Sequence, residues 1–219
     1  MAINQNGIEM YKRMQLVIIL CIFAVMTSFC LAAEDVPSYH QELFFAKKAM
    51  KEGLYKVAEK KLLSILAGAP EEKRDFAIIY LLLGQCYYYL KAPDQALSVL
   101  QKIVDDSYRT QYRDAAFYWM GEVCFKRKDF ALARKYFDEL IAGFPQSEYY
   151  PYAVFSKAWC FYEESAYDPA ILLFKEVVEK YPYSPLVPQT KLKIAESYYH
   201  SKQFRRGLSE LVSFIRPYP

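Results

Sequence analysis

The side chains that could carry acid–base or metal chemistry are few in this chain, and their spacing argues against both. His40 and His200 are its only histidines, and they fall at opposite ends of the predicted repeat array, too far apart to share a metal ion. Glu163 and Glu164 are adjacent, so on a helix they point in different directions and form no acid/base pair. Cys86, Cys124 and Cys160 have no CxxC spacing, which excludes a zinc site and a disulfide framework. They read as buried thiols acting as small apolar groups, with one pair able to bridge in an oxidising compartment. The chain has no GxSxG, HExxH, GxxxxGK or dinucleotide glycine pattern. The expectation is a protein that is no enzyme and needs no cofactor or metal.

A second set of residues has spacing suited to recognition. Tyr118, Glu122 and Phe125, then Phe155, Trp159 and Tyr162, follow i, i+4, i+7 and form stripes on helices. Tyr88, with Leu81 and Gln85, and Tyr199, with Leu192 and Glu196, repeat the pattern on either side. Rings in such rows offer large contact area at low entropic cost and are enriched at binding hot spots. They would also suit packing between neighbouring helices, because aromatic residues are 17% of the chain and must be accommodated somewhere.

These stripes must be positioned by a repeated element. Ala46, Gly84, Gly121, Ala158 and Ala195 recur at intervals of 38, 37, 37 and 37, and so do Ala58, Ala96, Ala133, Ala170 and Gly207. Each pair marks a close crossing of two helices in a hairpin. In the third repeat, Phe117, Met120, Gly121 and Cys124 share one helix face, and Ala133, Phe137 and Leu140 oppose them, with Phe137 filling the space beside Gly121. Asp129 is placed to cap the second helix. Phe144-Pro145 ends it, because proline cannot continue the hydrogen-bond ladder and biases its predecessor out of the helical region. Tyr181-Pro182 and Tyr218-Pro219 repeat that ending. Pro93 and Asp94 start the second helix of the second repeat, and Asp168-Pro169 predicts a cap and a first-turn proline in the fourth. A period of this length predicts a solenoid in which no hairpin buries its apolar face alone.

The pattern of aromatic, Leu-Gly, Tyr, Ala, Phe and Pro positions across residues 37 to 219 resembles the tetratricopeptide repeat family. The usual tryptophan position holds Glu42, Tyr80, Phe117, Val154 and Lys191. The 37-residue spacing and the Phe-Pro-Gln-Ser and Tyr-Pro-Tyr-Ser-Pro hairpin ends are similar to the periplasmic repeat proteins of bacterial envelopes, among them the barrel-assembly lipoprotein and the Tol-Pal-associated coordinator. The resemblance implies an all-α, right-handed superhelical solenoid of about five helix-turn-helix hairpins, at about 37–70, 71–108, 109–145, 146–182 and 183–219. It also implies that first helices line a concave groove. Tyr88, Tyr118, Glu122, Phe125, Phe155, Trp159, Tyr162 and Tyr199 are then the candidate groove residues. Repeats that hold chaperone C-termini use Lys, Asn and Arg at such positions; Tyr, Glu, Phe and Trp here favour an extended or helical apolar segment.

Residues 1–33 read as a signal peptide: Lys12 and Arg13 precede an apolar run from Met14 to Leu31, and Ala32 and Ala33 follow. The competing reading is an anchor over residues 14–33, long enough to span about 30 Å. Cys21 and Cys30 follow Leu20 and Phe29, whereas a lipidation signal wants a small residue there. Residues 34–219 carry a net charge of +2 once Lys12, Arg13 and Glu9 are set aside, which calls for neither nucleic acid nor an anionic surface. The expected partner is a protein or peptide, in the periplasm. The second helix of the last repeat carries Phe204, Leu208, Leu211, Val212, Phe214 and Ile215, more apolar groups than one preceding helix hides. That excess predicts a continuation, a partner or self-association at this end.

Overall fold

A computed structural model describes residues 39–68, 76–105 and 111–215. The signal-peptide reading of residues 1–33 and the Tyr218-Pro219 ending lie outside the described residues. The chain divides into two compact units, Met1–Gln41 and Glu42–Pro219, and the described part of the first is only the start of one helix. Among the described residues there are ten helices and no strand: α1 (Tyr39–Lys51), α2 (Tyr55–Gly68), α3 (Phe76–Tyr89), α4 (Pro93–Asp105), α5 (Arg113–Lys126), α6 (Phe130–Gly143), α7 (Tyr150–Glu163), α8 (Tyr167–Lys180), α9 (Val187–His200) and α10 (Phe204–Ile215). None of these helices is long and apolar enough to cross a membrane.

Packing follows chain order. Within hairpins α3 meets α4, α5 meets α6, α7 meets α8 and α9 meets α10; between them α2 meets α3, α4 meets α5, α6 meets α7 and α8 meets α9. First helices also touch one another, α3 with α5 and α5 with α7. This is the nearest-neighbour architecture of a solenoid. The crossing residues Ala46, Ala58, Ala96, Ala133, Ala158 and Ala170 are fully buried. At Gly121 the approach is closer still: an added Cβ would meet the Phe137 ring, with Cδ1 and Cζ each at 2.7 Å. The glycine is therefore required by its neighbour's ring more than by its own backbone.

Each hairpin turns in the same way. Gly53, Lys91, Lys128, Ser165 and Lys202 all have positive φ, between 58° and 76°, at the same position in successive repeats. The residue after each sends its N–H back to the carbonyl five residues earlier, from Leu54 to Ala49, Ala92 to Tyr87, Asp129 to Cys124, Ala166 to Phe161 and Gln203 to Tyr198, at 2.8–3.0 Å. This left-handed closure satisfies the last carbonyls of the first helix. Only the first hairpin uses glycine for it; a side chain there costs about 1–2 kcal/mol, offset by the hydrogen bond and the docking of the next helix.

The turn register also fixes the caps. Asp129 follows the left-handed residue and its Oδ1 accepts from the Leu132 N–H at 3.1 Å, as its type predicts. In the fourth repeat the equivalent position is Ala166, which caps α8 without a side-chain bond. Asp168 therefore lies inside the helix and is not its cap; its Oδ1 accepts from Gln203 Nε2 at 3.3 Å. Pro169 does fall in the first turn, where its missing N–H is harmless. The endings at Phe144 and Tyr181 cap α6 and α8.

Candidate functional site: the aromatic face of the first helices

Cys86, Cys124 and Cys160 are free and buried on the first helices. Burial is the main reason their thiols are pushed up, to about 12, 11 and 12. Buried thiols with so little thiolate are inert packing groups.

The face shared by α3, α5, α7 and α9 carries the residues singled out by spacing. Tyr88, Tyr118, Glu122, Phe125, Phe155, Trp159 and Tyr162 are half-buried, and Tyr199 is 63% exposed. Ring contacts gather these rings, Phe125 excepted, into two groups. In the upstream group Tyr88 meets Trp119 edge-on at 5.2 Å, Trp119 meets Tyr118 at 5.6 Å, and Tyr118 meets Tyr149 at 5.1 Å. Tyr89 stacks on Tyr55 at 4.3 Å and also reaches Trp119. In the downstream group Phe155 meets Trp159 at 5.6 Å and Trp159 meets Tyr162 at 6.2 Å. Tyr162 continues to Tyr167 and His200, and His200 to Tyr199, which ends against Phe204. Among the described residues no ring contact joins the groups.

The joint between them is polar. Ser156 Oγ on α7 donates to Glu122 Oε1 on α5 at 2.6 Å, and the Tyr88 hydroxyl of α3 lies near enough to act on the same carboxyl. Desolvation raises the Glu122 carboxyl above its ordinary value of 4.5, against the lowering by Ser156, Lys126 and Tyr88. Glu122 in turn adds to the burial that pushes the Tyr88 and Tyr118 hydroxyls up. Beside this joint lies a cleft of about 180 Å³ lined by Glu122, Phe125, Phe155, Ser156 and Trp159. Phe125 reaches it from α5 while packing on Phe130 at 5.5 Å.

Two lysines sit over the rings. Lys126 Nζ is 3.7 Å from the Tyr88 centroid, and Lys193 Nζ is 4.4 Å from Trp159 and 4.8 Å from Tyr162. Lys193 is held by Glu196 at 2.5 Å, and Trp159 Nε1 donates to Glu163 at 3.0 Å. Sequence spacing did not single out Trp119, Tyr149 or Lys193 for this face. Trp119 lies between two helical rows, and its ring meets Tyr88 and Tyr89 of the neighbouring α3. The face can bind apolar and cationic groups; among the described residues no group of three metal-ligating side chains occurs.

Comparison with known proteins agrees with this architecture. The tetratricopeptide repeat family model matches residues 79–107 and 115–147. The model described as YfiO, outer membrane lipoprotein, matches residues 149–219. No curated protein matches the chain. Among solved structures, MamA residues 41 to the end from Desulfovibrio magneticus RS-1 is similar at 14% identity, covering 81% of this chain and 93% of that one, with TM-score 0.66. BtubC from P. vanneervenii gives 18% identity, 81% and 78% coverage and TM-score 0.70. The C-terminal part of a repeat-containing protein from Cytophaga hutchinsonii gives 17% identity, 90% and 74% coverage and TM-score 0.67. At these identities the structural likeness speaks to the fold.

Proposed function

We propose that this chain, whose residues 79–107 and 115–147 match the tetratricopeptide repeat model, is a non-enzymatic adaptor of the bacterial cell envelope. Its aromatic face holds a protein or peptide segment. The observation that carries this reading is where the YfiO match falls. Residues 149–219 include Phe155, Trp159, Tyr162 and Tyr199, so the likeness to an outer membrane lipoprotein covers the downstream aromatic group. The ring-rich face supports an apolar or helical segment over a carboxylate-terminated one, because Tyr, Phe and Trp stand where a clamp would need Lys, Asn and Arg. For residues 1–33 the reading is export with cleavage after Ala32 or Ala33, which places the repeats in the periplasm; retention would make residues 14–33 an anchor. Intact-mass measurement of protein from its native host separates the two.

The face is tested by capture from envelope fractions with the wild type and the Trp159→Ala/Tyr162→Ala variant. Loss of captured protein with unchanged melting supports it. Equal capture by both overturns it. A second reading, a spacer or oligomerisation segment, is favoured by α10, where Phe204, Leu208, Val212 and Ile215 are all about half exposed or more. Concentration-dependent association that Leu208→Ser abolishes would support that role.

A further inference from the structure

Glu122 differs in kind from the rings around it, and its surroundings name a ligand chemistry. With Ser156 it forms the polar wall of the cleft whose other walls are Phe125, Phe155 and Trp159. The donor it takes is neutral, the Ser156 hydroxyl, with the Tyr88 hydroxyl close by. Among the described residues it has no salt bridge. Lys126, the cation whose charge it feels, is instead over the Tyr88 ring. A partly desolvated carboxylate without an ion partner is costly, and a cation brought to it relieves that cost. The aromatic walls act in the same direction, since ring faces attract cations and repel anions. The chain uses this preference on the neighbouring rings, with Lys126 on Tyr88 and Lys193 on Trp159 and Tyr162. A cleft of about 180 Å³ is smaller than the roughly 300–1,000 Å³ of sites for drug-sized ligands, and it suits one side-chain head group.

Resting on the reading of this face as the partner-binding face, we propose that the cleft at Glu122 takes one basic side chain of the bound segment, arginine in preference to lysine. The preference follows from shape. A planar guanidinium lies flat on Trp159 or Phe155 while two of its N–H groups fork toward the carboxylate; an ammonium cannot do both.

The test is a titration of the full, 15N-labelled chain with N-acetyl-arginine methylamide, and with its citrulline counterpart, which keeps the shape and lacks the charge. The expected result is perturbation of the Trp159 indole and the Ser156 and Phe125 amides by the arginine compound, about tenfold weaker for citrulline, as the loss of a charged hydrogen bond implies. Glu122→Gln keeps an acceptor for Ser156 and removes the charge; it should abolish the discrimination without lowering the melting temperature. Glu122→Asp should retain the discrimination. No perturbation of the cleft at millimolar arginine compound, equal binding of citrulline, or unchanged discrimination in Glu122→Gln each overturns the proposal. If Trp159→Ala/Tyr162→Ala loses envelope partners while Glu122→Gln keeps them in full, the aromatic face stands and the arginine site falls. If the double variant also keeps them, the face itself falls.

Discussion

The third hairpin and the last follow one sequence pattern at one spacing, yet they bury it to different depths. In α6, Ala133, Phe137 and Leu140 are all fully buried, because α5 lies on one side and α7 on the other. In α10 the matching positions are Gly207, Leu211 and Phe214; only Gly207 is buried. The positions that face the following hairpin diverge most. Ile171 of α8 is 5% exposed against α9, while Leu208, one repeat later, is 63% exposed. Burial in a solenoid is therefore a property of the neighbour as much as of the residue. A hairpin's stability is shared with the one that stacks on it.

The largest expected effect breaks that comparison at its centre. Phe137→Ala should cost about 3–5 kcal/mol, the lost transfer energy plus a cavity against Gly121. Leu211→Ala, at the same register in α10, should cost about 1 kcal/mol. Denaturant unfolding of the two variants checks this, and equal losses would mean that the terminal hairpin is as tightly held as the centre. The glycines provide the next step. Gly121→Ala drives a methyl into the Phe137 ring and should cost about 1–3 kcal/mol, partly recovered by adding Phe137→Leu. At Gly207 an added Cβ would be 3.2 Å from the Ala195 carbonyl oxygen and 3.4 Å from Tyr198 Cβ. There the gain in helix propensity, about 1 kcal/mol, opposes the tight contact, so Gly207→Ala should stay within about 1 kcal/mol of wild type.

Most of the hairpin frame was legible in the sequence because small crossing residues, the Asp129 cap and the aromatic-proline endings are local signals. The turns were less legible. Lys91, Lys128, Ser165 and Lys202 take left-handed backbone without the glycine that normally announces it; the 6→1 hydrogen bond and the docked next helix hold them there. The same register makes Ala166 the cap where Asp168 was expected. On the aromatic face, i, i+4, i+7 spacing picked out rings on each helix but not the partition into two groups. That partition depends on contacts between hairpins: Trp119 against Tyr88, Tyr149 against Tyr118, and Ser156 against Glu122. Local spacing carries no record of which neighbouring helix arrives at what height.

A pH measurement sharpens the comparison at the polar joint. Glu122 in the third hairpin and Glu196 in the last share a register position, but Glu196 is paired with Lys193 at 2.5 Å, whereas Glu122 meets hydroxyls and its carboxyl is raised, chiefly by desolvation. The folded chain thus holds the Glu122 proton more tightly than the unfolded chain does. Its contribution to stability is complete below the ordinary carboxylate value and is lost as pH rises through the raised one. Melting temperature of wild type relative to Glu122→Gln should therefore fall as pH increases from about 4 toward neutrality. A difference that stays constant or grows with pH would show the carboxylate to be well solvated or ion-paired.

The smallest expected effect lies at the exposed end. Leu208 and Ile171 occupy one register position, so replacing each by serine changes the same kind of atoms in two surroundings. Ile171→Ser removes a side chain packed beneath α9 in the core that also holds Ala158, Phe174, Ile194 and Tyr198. It leaves a void and a hydroxyl there, at a cost of about 2–5 kcal/mol. Leu208 has most of its surface in water already, so Leu208→Ser loses little transfer energy and should change stability by about 0.5 kcal/mol or less. Measured on dilute chain, a larger loss at Leu208 would show that something covers α10 even under those conditions. Repeating the measurement at high concentration separates the possible covers. A loss that appears only there marks a second copy seated on Phe204, Leu208 and Ile215, whereas a loss independent of concentration marks a segment of the same chain.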